Sequence, residues 1–292
     1  MEPLTREVRI LRESTSCTLG NTEVDAIVPG SRNNPTNVKN VEQVLPEWKF
    51  QEFFPRRNEA YTYRNFLRAT GKYPAICRNS DNCSKILATM FAHFQQETAG
   101  LFYLEEINKD NAYCAKWSKW VAEAFPCVPG KKYYGRGSKQ LSWNFNYGAF
   151  SKAIFGNASV LLEKPELVAT TWLNFASAIW FFVTPQPPKP SMLHVIDGTW
   201  QPNAQVSQGE GSSVLCADPR RVQDQLDGIR PGFGATINII NGGVECNTRD
   251  GRESRQARTR AEYYKQFAWY LYVDYEQEEL GCANQKQFSA GI

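Results

Sequence analysis

The sequence is short of the residues that build metal sites and membrane spans. Its 292 residues include two histidines, and no two of its eight cysteines stand at the C-x2-C spacing that is typical of zinc sites. No apolar run reaches the ~20 residues that a membrane-spanning helix needs. We therefore expect no metal, no cofactor and no membrane partner.

The chain also has no large excess of charge of either sign. The 33 basic and 30 acidic residues leave a net charge of only +3. Because nucleic-acid binding depends on many Lys and Arg contacts to phosphates, this small excess gives no reason to expect a nucleic-acid partner. It suits a neutral polysaccharide better than a polyanion, and the 8 tryptophans supply ring faces that can stack on sugars.

The chain has little strand signal and no internal repeat. Its length and 42% hydrophobic content are enough for one large domain or two lobes with a substantial core. Residues 1–45 are polar and interrupted by proline and glycine, which predicts an irregular lead-in, and residues 46–292 form the predicted helix-rich domain. Apolar periodicity predicts helices at 86–97, 143–155, 170–183 and 254–273, and residues 205–221 resemble an inserted surface loop.

One predicted helix ends in a carboxylate beside an apolar stripe. Met90 and Phe94 lie on the same helix face as Glu97, at spacings of seven and three residues. Partial desolvation there would favour the protonated carboxyl that a general acid needs. Gly100 stands where a helix C-terminus commonly turns left-handed. Glu97 is thus a candidate general acid, and a solvated surface glutamate is the alternative.

A second carboxylate follows closely. Glu106 comes nine residues after Glu97, beyond a strand-like run at 101–104, so it can return toward the first carboxyl from another element. Two carboxylates that flank a glycosidic bond are the usual requirement for its hydrolysis, because one protonates the leaving oxygen and the other activates water or attacks the sugar. Glu105 competes with Glu106, since alternation along an extended segment sends neighbouring side chains to opposite sides.

From about Phe91 to Cys282 the chain carries a series of specific motifs in a fixed order. They are Glu-Thr at 97–98, Tyr-Tyr-Gly-Arg-Gly at 133–137, Gln-Leu-Ser-Trp-Asn-Phe-Asn-Tyr at 140–147, Pro-Glu-Leu-Val at 165–168, Trp-Phe at 180–181, Thr-Pro-Gln at 184–186, and Asn-Ile-Ile-Asn-Gly-Gly-Val-Glu-Cys at 238–246. This series resembles the family 19 glycoside hydrolases, which are chitinases. The family pattern has His-Glu-Thr where this chain has Gln96 before Glu97, so the imidazole next to the acid is absent.

The resemblance implies a mainly α fold, with two lobes around a central substrate cleft as in lysozymes, and an inverting mechanism. Glu97 would protonate the glycosidic oxygen, and Glu106, which the spacing in shorter-loop members favours over Glu105, would activate the water. Ser142 matches a serine that helps to hold this water. Sugar-binding positions are matched by Gln140, Asn146, Lys189, Asn241 and Tyr134, and an orienting ion pair behind the cleft is matched by Glu245 and Arg260.

Several of these residues have a structural alternative. Ser142 could instead cap the helix predicted to start after it. Asn238 and Asn241, near the end of a short apolar helix predicted at 235–240 and stopped by two glycines, could bind neighbouring backbone rather than sugar. Arg260 belongs to a basic cluster that is typical of a solvated helix face, whereas the resemblance favours an inner position.

An even number of cysteines with few histidines predicts disulfides and an oxidising compartment, and therefore secretion. The expected pairs are Cys114 with Cys127 and Cys246 with Cys282 from the resemblance, Cys77 with Cys83 from their closeness, and Cys17 with Cys216 by elimination. The first seven residues lack the apolar stretch of a signal peptide, so we expect a mature secreted form, and we expect a monomer.

The leading functional prediction is an endo-acting chitinase that hydrolyses β-1,4 linkages between N-acetylglucosamine units in chitin or chito-oligosaccharides. Two alternatives remain. A catalytically silent chitin-binding protein on the same scaffold is indicated only by Gln96. A hydrolase of peptidoglycan is the other, because a lysozyme-like cleft with a carboxylate pair would suit either glycan.

Overall fold

The computed structural model describes residues 18–115, 119–186, 189–202, 228–246 and 252–288. Within these ranges the regular structure is helical, and β geometry is confined to isolated bridges. The helices are α1 (Asn21–Asp25), α2 (Thr36–Val44), α3 (Glu47–Phe53), α4 (Tyr63–Lys72), α5 (Cys83–Thr98), α6 (Lys119–Ala124), α7 (Asn144–Phe155), α8 (Ser159–Glu163), α9 (Leu167–Thr170), α10 (Leu173–Val183), α11 (Met192–Ile196), α12 (Phe233–Glu245) and α13 (Arg255–Tyr270). The predicted mainly α fold is confirmed.

The chain divides into two compact units. In the described part of the chain, the first unit consists of residues 18–80 and 97–180, and the second consists of residues 81–96 and 181–288. The division falls inside α5 and α10, so each of these two helices supplies residues to both units.

Aromatic side chains form the core of the first unit. The ring of Phe50 on α3 lies 5.6 Å from that of Tyr63, 5.7 Å from that of Phe66 and 6.2 Å from that of Phe175. The helix α4, which supplies two of these rings, is capped by Thr62, whose side chain accepts a hydrogen bond from the amide of Asn65, the third helical residue. Burial of each large apolar side chain contributes ~1.5–3 kcal/mol, so this cluster anchors α3, α4 and α10 together.

Part of the N-terminal segment is more regular than the sequence indicates. The lead-in predicted at 1–45 contains α1 and α2, so the prediction of irregular structure is wrong for those stretches. Val38 and Val41 are one turn apart on α2 and fully buried, and the side-chain amide of Asn37 donates to the carbonyl of Thr70 on α4 at 2.9 Å. This short apolar face packs because α4 covers it, which its polar composition does not reveal.

In the second unit α13 packs against α12. The ring of Phe233 on α12 stacks on Tyr264 of α13 at 4.4 Å and on the imidazole of His93 at 5.0 Å. The inward stripe that the sequence predicts for the last helix is confirmed, because every member is buried. Its members are Ala257, Ala261, Tyr264, Ala268 and Leu271.

Two of the predicted disulfides are present, linking Cys114 to Cys127 and Cys246 to Cys282. Cys77 and Cys83 are also disulfide-bonded, as expected for the local pair. The proposed pair of Cys17 and Cys216 and the loop predicted at 205–221 lie outside the described residues. None of the helices in the described ranges has the length and apolar character needed to cross a membrane.

Candidate active site

Helix α5 ends with the candidate acid and a strained turn. Glu97 is half-buried in its last turn, and Thr98 accepts a hydrogen bond at Oγ1 from the amide of Leu101 at 2.8 Å. Ala99, Gly100 and Leu101 all have positive φ, at 51°, 74° and 63°. Only the glycine adopts that region without steric cost, so the two exceptions on either side of it mark a turn that its surroundings impose.

The segment between the two carboxylates is a turn rather than the strand-like run predicted at 101–104. The amides of Phe102 and Tyr103 both donate to the carbonyl of Thr98, at 3.0 and 3.1 Å. The left-handed residues before them bend the chain too sharply for an extended segment. Extended pairing begins at Glu105, which forms an isolated antiparallel bridge with Arg136.

The carboxylate of Glu106 is held at both oxygens. The hydroxyl of Tyr113 donates to Oε1 at 2.7 Å, and the amide of Gly135 donates to Oε2 at 3.0 Å. The amide of Glu106 also donates to the carbonyl of Gly135 at 2.8 Å. The hydrogen bond to Glu106, with burial and the charge of the carboxylate, raises the pKa of Tyr113 to about 12. Tyr113 therefore acts as a hydrogen-bond donor to the carboxylate near neutral pH.

Glu105 has different partners from its neighbour. Its Oε1 accepts from Nε of Arg136 at 3.0 Å, and its Oε2 accepts from the ammonium of Lys109. Burial opposes ionisation of Glu105, but the hydrogen bonds from Lys109 and Arg136 and their positive charges outweigh it and lower its pKa. Arg136 is itself buried and rests on the ring of Tyr134, with its guanidinium carbon 3.8 Å from the ring centre. Glu105 is thus the ionised counter-charge of a buried arginine.

The motif at 140–147 forms a short chain of hydrogen bonds. The side-chain amide of Gln140 donates to the carbonyl of Gly137 at 3.1 Å, and Oγ of Ser142 donates to the carbonyl of Gln140 at 3.0 Å. The side-chain amide of Asn146 then donates to the carbonyl of Ser142 at 2.8 Å. Each of these polar side chains is therefore held in one orientation by nearby backbone.

The helix-capping alternative for Ser142 is wrong. The residue at the N-cap of α7 is Trp143, and its side chain makes no capping hydrogen bond. Trp143 has φ of 78°, and Gln140 has φ of 55°, so two non-glycine residues of this motif adopt the left-handed region. The hydroxyl of Ser142 donates to the carbonyl of Gln140 and makes no capping hydrogen bond with the helix amides. Such strain concentrates at functional sites.

The second unit contains the predicted ion pair. Nε and Nη2 of Arg260 donate to the two carboxylate oxygens of Glu245, each at 2.9 Å. The side chains are 4% and 2% exposed, so this is a buried bidentate pair. The side-chain amide of Asn241 adds a hydrogen bond to Oε1 of Glu245 at 3.1 Å. Arg260 occupies the inner position, whereas the other arginines of its cluster, Arg252, Arg255 and Arg258, are exposed.

Helix α12 is interrupted where the sequence predicts a helix end. Asn241 leaves helical geometry, with φ of −147° and ψ of 34°, and a second helical segment follows this kink and ends at Glu245. Gly242 allows a close approach, because a Cβ there would lie 2.1 Å from Oδ1 of Asn238. The amide of Asn238 donates to the carbonyl of Lys286 at 2.7 Å, so this asparagine binds backbone. The kink at Asn241 brings its side-chain amide to Glu245.

Lys189 reaches the same helix. Its Nζ donates to the carbonyl of Ile239 on α12 at 2.7 Å. Burial lowers the pKa of Lys189, because the charged ammonium is partly removed from water. This lysine is therefore a hydrogen-bond donor beside the α12 kink rather than a fully solvated surface charge.

Sequence reasoning missed two residues of these networks. Tyr113 contacts Glu106, and His93 contacts Arg260 through Nδ1 at 3.2 Å. The only sequence signals are that histidine is rare in this chain and that His93 lies four residues before Glu97 on α5. Among the described residues, no group of three or more His, Cys, Asp or Glu side chains could hold a metal ion.

Each candidate residue belongs to one of the two units. The first unit holds Glu97, Glu106, Tyr134, Gln140, Ser142 and Asn146, and the second holds Lys189, Asn241, Glu245 and Arg260. The first unit therefore supplies one carboxylate in the last turn of a helix and a second one in a loop. A pair of carboxylates is the usual requirement for the hydrolysis of a glycosidic bond.

The comparison with known families gives the particular class. The sequence pattern of the family described as chitinase class I matches residues 41–282. The chain therefore belongs to this chitinase family, the family 19 glycoside hydrolases, whose members have the lysozyme-like, mainly α fold.

Individual relatives agree with this assignment. The chain is 33% identical over 296 residues to a basic endochitinase of Vitis vinifera, covering 94% of this chain and 84% of the relative. It is 36% identical over 271 residues to inactive chitinase-like protein 1 of Hevea brasiliensis, covering 85% and 77%. Chitinase C of Streptomyces griseus superposes with a TM-score of 0.61 at 29% identity, covering 82% of this chain and 97% of that structure.

Proposed function

We propose that this protein is an active endo-acting chitinase that hydrolyses β-1,4 linkages between N-acetylglucosamine units with inversion. The observation that carries the proposal is the different treatment of two adjacent glutamates. Both carboxylate oxygens of Glu106 accept hydrogen bonds from neutral groups, whereas Glu105 forms ion pairs with Lys109 and Arg136. Similarity to relatives named endochitinases supports the choice of chitin as substrate.

In the proposed reaction Glu97 gives its proton to the glycosidic oxygen as the C1–O bond breaks. A water attacks C1 from the opposite face of the sugar, and Glu106 takes the proton that this water releases. Ser142 helps to hold the water. One proton leaves Glu97 and one arrives at Glu106, so proton exchange with solvent restores both groups before the next turnover.

Glu106 is the better base for an electrostatic reason. A carboxylate that two cations stabilise is a weak proton acceptor, and the lowered pKa of Glu105 reflects this. Tyr113 and Gly135 are neutral donors, and they fix the orientation of the Glu106 carboxylate without adding positive charge to it. A fixed orientation favours attack by one positioned water.

We assign the sugar-binding role to Gln140, Asn146, Tyr134, Lys189 and Asn241, and the orienting role to the pair of Glu245 and Arg260. The backbone hydrogen bonds of Gln140 and Asn146 support this assignment, because they hold each amide in place before the ligand arrives. Preorganised polar groups lose less entropy on binding than mobile ones.

A catalytically silent chitin-binding protein is the second candidate. Two observations favour it, namely Gln96 in place of the family histidine and the similarity to a relative named inactive chitinase-like protein 1. The three bridges formed by described cysteines support the proposed secretion, since disulfides persist in oxidising compartments. We retain the monomer as part of the proposal.

Purified protein assayed on glycol chitin, with bacterial cell walls as a parallel substrate, separates these functions. The proposal predicts a rapid fall in the viscosity of glycol chitin, as internal cleavage requires, and little release from the cell walls. Binding to chitin without cleavage would establish the silent alternative. Preferential release from the cell walls would establish a peptidoglycan hydrolase.

A further inference from the structure

His93 is a buried imidazole that the proposed reaction does not use. It lies on α5, one helical turn before Glu97, and is 2% exposed. Its ring stacks on Phe233 of α12 with an interplanar angle of 15°. Both ring nitrogens have polar partners in the second unit, Thr236 on α12 and Arg260 on α13.

The partners of His93 determine where its proton lies. A guanidinium has donors and no acceptor, so Nδ1 of His93 must accept from Nη1 of Arg260 at 3.2 Å. The proton therefore lies on Nε2, which donates to Oγ1 of Thr236 at 2.9 Å. The Thr236 hydroxyl in turn donates to the carbonyl of Phe233 at 2.6 Å. His93 is thus a neutral imidazole in a single tautomer.

This arrangement joins the buried ion pair to α5. Arg260 uses Nε and Nη2 to bind Glu245 and Nη1 to bind His93, so the guanidinium is held from two helices. Glu97 follows His93 by four residues on the same helix, a distance of ~6 Å along the axis at 1.5 Å per residue. The contact therefore restrains α5 one helical turn before Glu97.

We propose that His93 is a positioning residue that ties the Glu245–Arg260 pair to α5 and thereby orients Glu97. The family pattern has a histidine at the position of Gln96, and His93 supplies an imidazole one helical turn before that position. The inference rests on the proposed role of Glu97 as general acid. It requires His93 to be neutral, because a proton on Nδ1 would face the N–H of Arg260.

Three substitutions distinguish the roles of the two imidazole nitrogens of His93. His93→Asn places Oδ1 near the position of Nδ1, so an acceptor for Arg260 is retained and the donor to Thr236 is lost. His93→Phe keeps a ring against Phe233 and removes both nitrogens. Thr236→Val removes the partner of Nε2 and leaves the contact with Arg260, so it is the matched control.

The experiment compares kcat and KM of these variants on a chitin hexamer, with melting temperatures measured in parallel. We expect kcat of His93→Phe to fall at least about tenfold, the effect of losing one hydrogen bond to a charged group, with KM within about twofold. His93→Asn and Thr236→Val should keep kcat within about threefold of the wild type. Equal kcat values for His93→Phe and Thr236→Val, whatever their melting temperatures, would overturn the inference.

A second measurement does not depend on activity or on the folding of His93→Phe. The chain has two histidines, so ¹⁵N NMR of a His194→Gln protein reports His93 alone. We expect the neutral Nε2–H tautomer at pH 7, and the Nδ1–H tautomer or an imidazolium would overturn the inference. If the wild type fails to hydrolyse glycol chitin, the proposed function fails and with it the catalytic role of His93. If the wild type is active and His93→Phe matches it, only the inference fails.

Discussion

The hydroxyl of Tyr113 donates a 2.7 Å hydrogen bond to Oε1 of Glu106. We expect Tyr113→Phe to lower kcat about tenfold with KM within about twofold, because the carboxylate loses the donor that fixes its orientation. Steady-state hydrolysis of a chitin hexamer measures this. Tyr272→Phe is the matched control, since Tyr272 is 92% exposed and lies in the other unit. A Tyr113→Phe enzyme with wild-type kcat would show that this hydrogen bond has no catalytic role.

The adjacent glutamates give opposite expectations. Glu106→Gln should reduce hydrolysis by about 10²–10⁴-fold, the usual loss on removing a general base, whereas folded Glu105→Gln should retain most of its turnover. Anomer-resolving NMR at the start of hexamer hydrolysis should show the α-product first, as inversion of a β-linkage requires. Initial β-product would instead establish retention, and the reverse pattern of activities would make Glu105 the base.

The pair of Glu105 and Arg136 predicts how stability depends on pH. The folded state lowers the pKa of Glu105, so its ion pair adds stability above the unfolded pKa of about 4.3 and loses it as the pH falls through the lower folded value. We expect Glu105→Gln to melt below the wild type at pH 7, with a difference that shrinks in acid. Glu123→Gln is the control, because the pair of Glu123 and Lys119 is largely exposed. A constant difference from pH 7 to pH 3 would contradict this account.

The spacing of apolar residues correctly predicts those features of the fold that depend on neighbouring residues in the sequence. The apolar spacing on α5 places Glu97 in its last turn, and the stripe on α13 identifies the buried face that Arg260 shares. The basic cluster around Arg260, taken alone, favours a solvated face for that arginine. The buried carboxylate of Glu245 explains its inner position, and only the family resemblance indicated this partner.

The wrong sequence predictions and the missed residues have a shared physical origin in contacts between residues that are distant in the sequence. Three successive positive φ values from Ala99 to Leu101 replace the predicted strand with a turn, although only one of the three residues is a glycine. The turn at Trp143 similarly removes Ser142 from the helix cap. Tyr113 and His93 acquire their roles from tertiary partners, and no spacing along the chain indicates those partners.

The proposed pair of Cys17 and Cys216, which lies outside the described residues, gives a covalent prediction. Peptide mapping without reduction should recover Cys17 linked to Cys216, beside the bridges of Cys114 with Cys127 and Cys246 with Cys282. Loss of each native bridge should cost about 2–5 kcal/mol of unfolding free energy. Free thiols at positions 17 and 216 in oxidised protein would contradict the fourth pair and leave the other bridges unaffected.

The central claim is that Glu97 is the general acid of an active chitinase, and the comparison of Glu97→Gln with the wild type on a chitin hexamer tests it most directly. The account predicts that the wild type cleaves the hexamer, and that Glu97→Gln loses about 10²–10⁴-fold of that rate while it keeps the melting temperature and affinity for the oligosaccharide. A Glu97→Gln protein with more than half of the wild-type turnover would contradict the account.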